Sequence, residues 1–456
     1  MSICKRLSSQ TKLVPDRTKR DPILEIKIDQ HFDSKIYTSG SFISGCLEIT
    51  SQADVAFQNL ELVFKGVSSS QVSLCQHAVL PSIQTFLQRN LSIPDYLPSN
   101  RILQAGYSYS IPFAFNIPTR LPDAACEHKD DLIRERHLQL PPTVGSWVSE
   151  DSMGRCVRIE YLIDARLVLT EKKSKMPRQI QSSHLLRVKP YLPERPPLCI
   201  DSKSTIYRMS QEKFVKKSFL SRNVASITAS VTQPPPIFLS DNLSTSGSLI
   251  KVDLQFTPIS ANAPLPDVYA QYASLEATTT HSLGHMGYFP DEQKQDLMGS
   301  DLIVSYRTSN RLEIGQSEKL VWEKTSMEFE GTGYIQDSSS STHSARESCT
   351  STNDVSDTGR IIYKASLLLP IKVPDTLKKL FLPTFYSCLA CRTYAVRLSL
   401  TSGRYKTTLP LTMPLQIVSE GCTLPPYIEK SRDTRYEAEQ DLDDATLVPY
   451  EQVPVV

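Results

Sequence analysis

Apolar residues in this chain fall in short runs that alternate with polar ones. Ile23-Leu24-Glu25-Ile26-Lys27-Ile28, Cys46-Leu47-Glu48-Ile49 and Leu60-Glu61-Leu62-Val63-Phe64 place apolar side chains at a period of two, and each run is bounded by Gly, Ser, Asn or Asp. Side chains in a strand point alternately to opposite faces, so such a run predicts a strand with one face buried and the other wet. The same texture predicts strands over Tyr107–Phe115 and Val157–Leu169. Between them Asp123–Gln139 is highly charged and ends at Leu140-Pro141-Pro142, which cannot continue a helix, so a surface loop or a short helix is expected there. Many short strands without a long helical period predict an all-β chain and a β-sandwich.

A stretch containing Pro190, Pro193, Pro196 and Pro197, followed by polar sequence, reads as a linker. Strand texture then resumes at Val224–Val231, Leu249–Phe256, Val268–Ala277, Leu302–Tyr306, Leu320–Trp322, Ile361–Leu369, Tyr394–Leu400 and Leu409–Val418, which predicts a second sandwich. The expected organisation is a disordered basic leader over 1–21, a sandwich over 22–190, a linker over 191–215, a second sandwich over 216–420 and an acidic disordered tail over 421–456. Within the second sandwich, residues 335–358 carry Ser338-Ser339-Ser340-Ser341-Thr342 and almost no apolar side chains. They cannot bury enough surface to offset the entropy of ordering, so a disordered insertion is expected.

Charge narrows the partners. Lysine plus arginine total 50 against 49 for aspartate plus glutamate, which removes any global electrostatic reason to expect nucleic acid. The leader is basic, but Pro15 and weak apolar spacing argue against the amphipathic helix of a mitochondrial presequence. Met1-Ser2-Ile3-Cys4-Lys5-Arg6 lacks the apolar core of a secretory signal, and ten scattered cysteines form no disulfide framework, so reduced thiols and the cytosol are expected. Asn90-Leu91-Ser92 and Asn242-Leu243-Ser244 would be glycosylation sites only in a secreted protein. No run approaches the ~20 apolar residues that span a bilayer; the best, Ala365–Ile371, is interrupted by Pro370. Ser2 excludes N-myristoylation and the Val-Pro-Val-Val ending has no prenylation cysteine, which leaves only an unspecific palmitoylation of Cys4.

Catalytic and metal signatures are weak. Cys388-Leu389-Ala390-Cys391 could supply two zinc thiolates or a redox dithiol, yet a structural zinc site takes four ligands and no second pair stands at a suitable spacing. Strand positions three apart face opposite sides, so these two thiols are expected to be structural, with no stoichiometric metal and no cofactor. His281 and His285 would share a helix face, but Gly284 and Thr278-Thr279-Thr280 suggest a loop. Gly331-Thr332-Gly333 lacks the third glycine of a dinucleotide fingerprint, and neither a GxSxG elbow, a phosphate-cradling loop nor an HExxH pair is present. An enzyme is therefore not expected.

Several phrases stand in one order along the chain. Tyr37-Thr38-Ser39-Gly40-Ser41-Phe42-Ile43-Ser44-Gly45, Val55-Ala56-Phe57-Gln58-Asn59-Leu60 with Gly66, Ile111-Pro112-Phe113-Ala114-Phe115-Asn116-Ile117-Pro118 with Leu121-Pro122, and Ile159-Glu160-Tyr161-Leu162-Ile163-Asp164-Ala165 resemble an arrestin-like N-terminal domain. Gln233-Pro234-Pro235-Pro236-Ile237 and Leu382-Pro383-Thr384-Phe385-Tyr386-Ser387 with Arg392-Thr393-Tyr394 resemble an arrestin-like C-terminal domain. Over roughly residues 23 to 420 the chain is similar to the fungal alpha-arrestins. The resemblance implies two immunoglobulin-like β-sandwiches in tandem. It also implies a cytoplasmic adaptor, recruited peripherally to the plasma membrane or endosomes, that brings a WW-domain HECT-type ubiquitin ligase to membrane-protein cargo such as transporters and promotes endocytosis. A sorting scaffold of the same fold acting without ubiquitin is the alternative.

The residues expected to bind the ligase are Leu424-Pro425-Pro426-Tyr427. Adjacent prolines hold the backbone near polyproline II, and Leu-Pro-x-Tyr resembles the PY motif whose proline stacks in a WW groove while the tyrosine fills a neighbouring pocket. Leu447-Val448-Pro449-Tyr450 misses the pattern because its proline stands one place too close to the tyrosine. Around the linker, Lys203, Arg208, Lys213, Lys216, Lys217 and Arg222 gather against Asp201 and Glu212, as either a solvated connector or a surface for anionic lipid.

Overall fold

The computed structural model describes residues 21–75, 78–91, 97–145, 156–170, 178–200, 204–216, 222–239, 247–260, 262–291, 303–315, 319–327, 360–373 and 382–419. Residues 1–20 of the expected leader, the insertion over 335–358 and the tail lie outside them. Nearly every described element is a strand, so the all-β expectation holds.

In the first sandwich one sheet orders Ile23–Ile28, Phe42–Thr50 and Ser108–Asn116, all antiparallel. The other orders Ile36–Tyr37, Arg178–Val188, Val157–Leu169, Val55–Cys75 and Ala78–Asn90. The period-two pattern determines what goes inside. Ile111, Phe113 and Phe115 of the first sheet, and Val157, Ile159, Tyr161, Ile163, Ala165, Leu167 and Leu169 of the second, all belong to one buried core. Phe64 stacks on Phe115 with ring centroids 4.5 Å apart, and the buried Tyr161 hydroxyl donates to the Pro141 carbonyl at 2.7 Å. Asp164 points away from that core but is buried too; it accepts from Lys65 Nζ at 2.7 Å and Gln181 Nε2 at 2.6 Å.

Two glycines of the Tyr37–Gly45 phrase have visible reasons. Gly40 takes φ of 80° in the turn closed by Ser41 N–H to Thr38 C=O. At Gly45 the sheet passes so closely that a Cβ would stand 2.1 Å from the Lys27 carbonyl oxygen.

In the second sandwich one sheet orders Ser210–Lys216, Asn223–Val231, Ser248–Pro258, Arg360–Lys372 and Glu313–Ile314, with Glu323–Met327 also on Arg360–Lys372. The facing sheet orders Ile303–Arg311, Val268–Ser282, Ala390–Ser402 and Phe385–Tyr386, with Thr407–Leu415 beside Phe385–Tyr386 on the same edge of Ala390–Ser402. Ile227, Val252, Phe256, Leu369, Val396, Leu398, Leu411 and Met413 share its core. A short parallel pair, Ile237–Leu239 with Ile417–Ser419, ties the end of the described chain back to the Pro-Pro-Pro segment.

Three local differences from the sequence pattern have physical reasons. The run Leu320–Trp322 is not a strand; Trp322 instead packs against Phe256 and donates from its indole to the Pro266 carbonyl at 2.9 Å, and the strand begins at Glu323. Thr278–Ser282 is not a loop. It is paired on both sides, to Ile303–Arg307 and to Ala390–Thr393, where β-branched threonines suit a pleated surface. Ser210–Lys216, counted with the linker on composition, pairs antiparallel with Asn223–Val231 as an edge strand.

Candidate functional site at the junction of the two sandwiches

The hairpin Leu382–Arg392 of the second sandwich carries the junction. Its turn is closed by Ser387, whose N–H and hydroxyl both donate to the Ala390 carbonyl, at 2.9 and 2.6 Å. The two short strands and the turn between them divide the side chains: Phe385, Cys388 and Ala390 join the core of the first sandwich, whereas Tyr386 and Cys391 pack with Ile133, Met286 and Phe289. Cys388 and Cys391 therefore face different clusters, but not through strand spacing: Cys388 stands in the turn, and only Cys391 belongs to strand Ala390–Ser402. Burial pushes both thiols up, Cys388 to about 12, so both are protonated and poor nucleophiles near neutral pH.

The first sandwich supplies helix Asp131–His137. Asp130 caps it, its carboxylate accepting from the N–H groups of Leu132 and Ile133 at 2.9 and 3.2 Å. Asp131 in the first turn and Arg134 and Arg136 in the last suit the helix dipole. The helix lays the Arg136 guanidinium over the Phe289 ring at 3.8 Å and over Tyr386 at 5.3 Å.

Arg195 of the linker covers Tyr386 from 4.8 Å, and its guanidinium donates to Gln139 Oε1. Its backbone is held by Gln416, which accepts from Arg195 N–H and donates to Arg195 C=O, each at 2.9 Å. The Tyr386 hydroxyl donates to Asp291, and burial together with that carboxylate pushes the phenol far above its ordinary range. These groups border an open groove of about 540 Å³ lined by Leu132, Glu135, Arg136, Arg195, Tyr386 and Gln416. Elsewhere on the junction the Ser70 hydroxyl and His281 Nδ1 meet at 2.9 Å.

One constellation at the junction has metal-ligand chemistry. Cys126, His137 and Cys388 are all buried, and their ligand atoms lie within 4.8 Å of one another. Cys126 Sγ stands 3.6 Å from His137 Nδ1. Burial, and after it the nearby His128 and His285, lowers the His137 pKa to about 4, so the ring is neutral at physiological pH. Sequence gave no sign of this site: Cys126 and His137 sit eleven residues apart in the charged segment, and Cys388 is more than 250 residues further on.

Of the expected site residues, Leu424, Pro425, Pro426 and Tyr427 lie outside the described residues, as do Lys203 and Lys217. The remaining basic positions do not form one face. On the edge strand Ser210–Lys216, Phe214 and Lys216 share the exposed side, with Phe214 60% accessible, whereas Lys213 is half-buried on the other. Arg208 and Arg222 are exposed before and after that strand.

Residues 304–418 match the family model described as the Bul1 C terminus, which represents an arrestin-related trafficking adaptor family. The match runs from within strand Ile303–Arg311 to strand Ile417–Ser419 and includes the junction hairpin. It supports the arrestin-like resemblance seen in the sequence phrases. No curated protein matches the chain. Among the described residues no helix is long and apolar enough to cross a membrane.

Proposed function

We propose that this chain is an adaptor that recruits a WW-domain HECT-type ubiquitin ligase to membrane-protein cargo and so promotes ubiquitin-dependent endocytosis and sorting. The match of residues 304–418 to a trafficking-adaptor family carries the reading. In sequence, Leu424-Pro425-Pro426-Tyr427 follows the last described strand, Ile417–Ser419, by a few residues, and its adjacent prolines suit the polyproline II form that a WW groove recognises. Pro425 is the stacked proline and Tyr427 the pocket residue, while Pro426 maintains the extended backbone. The two sandwiches supply surfaces for cargo. The exposed Phe214 beside Lys216, with Arg208 and Arg222 nearby, adds a weak contact to anionic lipid when the adaptor is drawn from the cytoplasm to plasma membrane or endosomes.

The test is titration of a 419–433 peptide against the WW domains of a HECT ligase. Binding of the wild-type peptide, lost in Tyr427→Ala, supports the adaptor. If the wild-type peptide fails to bind at high micromolar concentration, or Tyr427→Ala binds equally well, the ubiquitin-independent sorting scaffold is the better reading.

A further inference from the structure

We propose that Cys126, His137 and Cys388 form a zinc site that staples the first sandwich to the hairpin of the second. The proposal is independent of the ligase reading. Two cysteines and one histidine, with all three donor atoms within 4.8 Å of one another, converge from three segments: the stretch before the helix, the last helical turn and the hairpin Leu382–Arg392. With Zn–S near ~2.3 Å and Zn–N near ~2.05 Å, a tetrahedral site needs about 3.6 Å between a sulfur and a nitrogen ligand, and Cys126 Sγ to His137 Nδ1 is 3.6 Å.

Donor type selects the ion. Thiolate and imidazole favour zinc over the hard, oxygen-seeking magnesium and calcium. Charge supports the same choice: on binding, both thiols lose their protons, and two thiolates with a neutral imidazole cancel the charge of Zn²⁺. A neutral cluster is what a buried site tolerates, since an uncompensated buried charge is costly. A second observation points the same way. Among the described residues the hydrogen-bond partner of the buried His137 ring is the Cys126 thiol, a weak donor, so this imidazole lacks the strong partner a buried polar group normally has. Three protein donors leave a fourth position for water or for a flanking imidazole. His128, with its ring centroid 6.3 Å from that of His137, and His285, which also acts on His137, flank the site.

The pair Cys388 and Cys391, considered from spacing alone, is not the ligand set: Cys391 faces the cluster of Ile133, Met286, Phe289 and Tyr386. The site instead uses single donors distant in sequence. Its consequence is mechanical, because the metal would bind helix Asp131–His137 to the hairpin and hold the two sandwiches together at the groove of Arg195 and Tyr386.

The experiment uses the full chain, expressed with zinc in the medium and purified under reducing conditions. Elemental analysis should give about one zinc per chain. Cobalt(II) substitution should give a thiolate-to-cobalt charge-transfer band in the near ultraviolet. Cys126→Ser and Cys388→Ser should each reduce the band to half or less and weaken metal binding more than tenfold, whereas Cys391→Ser should keep both. The proposal is overturned if zinc-supplemented wild-type protein holds no stoichiometric zinc, a result that does not depend on any variant folding. It is equally overturned if Cys388→Ser keeps the full intensity of the cobalt band.

Discussion

Ser70 of the long strand Val55–Cys75 and His281 of strand Val268–Ser282 are 211 residues apart in sequence, yet Ser70 Oγ and His281 Nδ1 lie 2.9 Å apart in a buried contact between the sandwiches. Burial lowers the His281 pKa below the ordinary ~6.5. The folded state thus favours the neutral ring, and this contribution to stability is full above the ordinary histidine pKa and is lost as pH falls through the depressed one. His281→Gln keeps a hydrogen-bonding side chain without a titration. Relative to wild type, its thermal midpoint should fall less steeply between pH 7 and pH 5. Parallel profiles for the two proteins would show that His281 does not sense pH.

Lys65 and Asp164 form an ion pair at 2.7 Å whose carboxylate is 3% exposed while the lysine side chain is 21% exposed. Removing the cation leaves the buried carboxylate to the Gln181 amide, so Lys65→Met should cost roughly 2 kcal/mol, less than breaking a fully buried pair. The double variant Lys65→Met/Asp164→Leu should recover much of that loss. Denaturant unfolding of the four proteins of this cycle measures the coupling, and strictly additive losses would contradict it.

Gly45 has no room for a methyl group, since its Cβ would stand 2.1 Å from Lys27 O and 2.9 Å from Phe113 Cζ. The ring can turn, but the strand backbone is fixed by its pairing. Gly45→Ala should therefore destabilise the first sandwich by at least roughly 2 kcal/mol. Gly106→Ala, with nothing within 4 Å but φ of 79°, should cost less, and only through its backbone. Equal losses would remove the steric account.

The 419–433 peptide should bind a single WW domain only in the micromolar range, near ~8 kcal/mol, because one motif buries little area. Tandem WW domains or co-localisation on a membrane should raise apparent affinity through effective concentration. Pro425→Ala and Tyr427→Ala should abolish binding, whereas Pro426→Ala should weaken it modestly through lost preorganisation. Isothermal titration of each peptide checks the order, and an intact Pro425→Ala complex would exclude the Leu-Pro-x-Tyr register.

Lys216→Glu on the edge strand and Arg222→Glu after it should each weaken binding to phosphatidylserine vesicles roughly fivefold, from ~1 kcal/mol per basic residue near an anionic surface. Lys213→Glu should matter less, because Lys213 lies on the half-buried side of the strand. Vesicle co-sedimentation at low and high salt separates the cases. Absence of wild-type binding at low salt would leave the strand a solvated edge.

Local pattern was enough to determine the strands. Alternation forced Ile111, Phe113 and Phe115 to one side of a sheet whatever lay opposite, because successive strand side chains diverge. The phrases from Tyr37 to Gly45 and from Leu382 to Tyr394 carried the resemblance, whereas Cys388 and Cys391 were separated by the turn that holds Cys388 and not by the strand rule expected to part them. The ligase motif is also a purely local signal, four residues whose proposed recognition needs no fold. Tertiary structure decided what local spacing cannot hold. Which residues meet between sandwiches depends on pairings hundreds of positions apart, so Ser70 with His281, Arg195 with Gln416, and Cys126 and His137 with Cys388 have no periodic sign. Thr278–Ser282 reads locally as a loop and becomes a strand because neighbours on both sides satisfy its backbone, whereas Leu320–Trp322 reads as a strand and yields to the packing of one tryptophan against Phe256. The basic cluster was visible as composition, but only the pleat of Ser210–Lys216 separated Lys213 from Lys216 and placed Phe214 beside the latter.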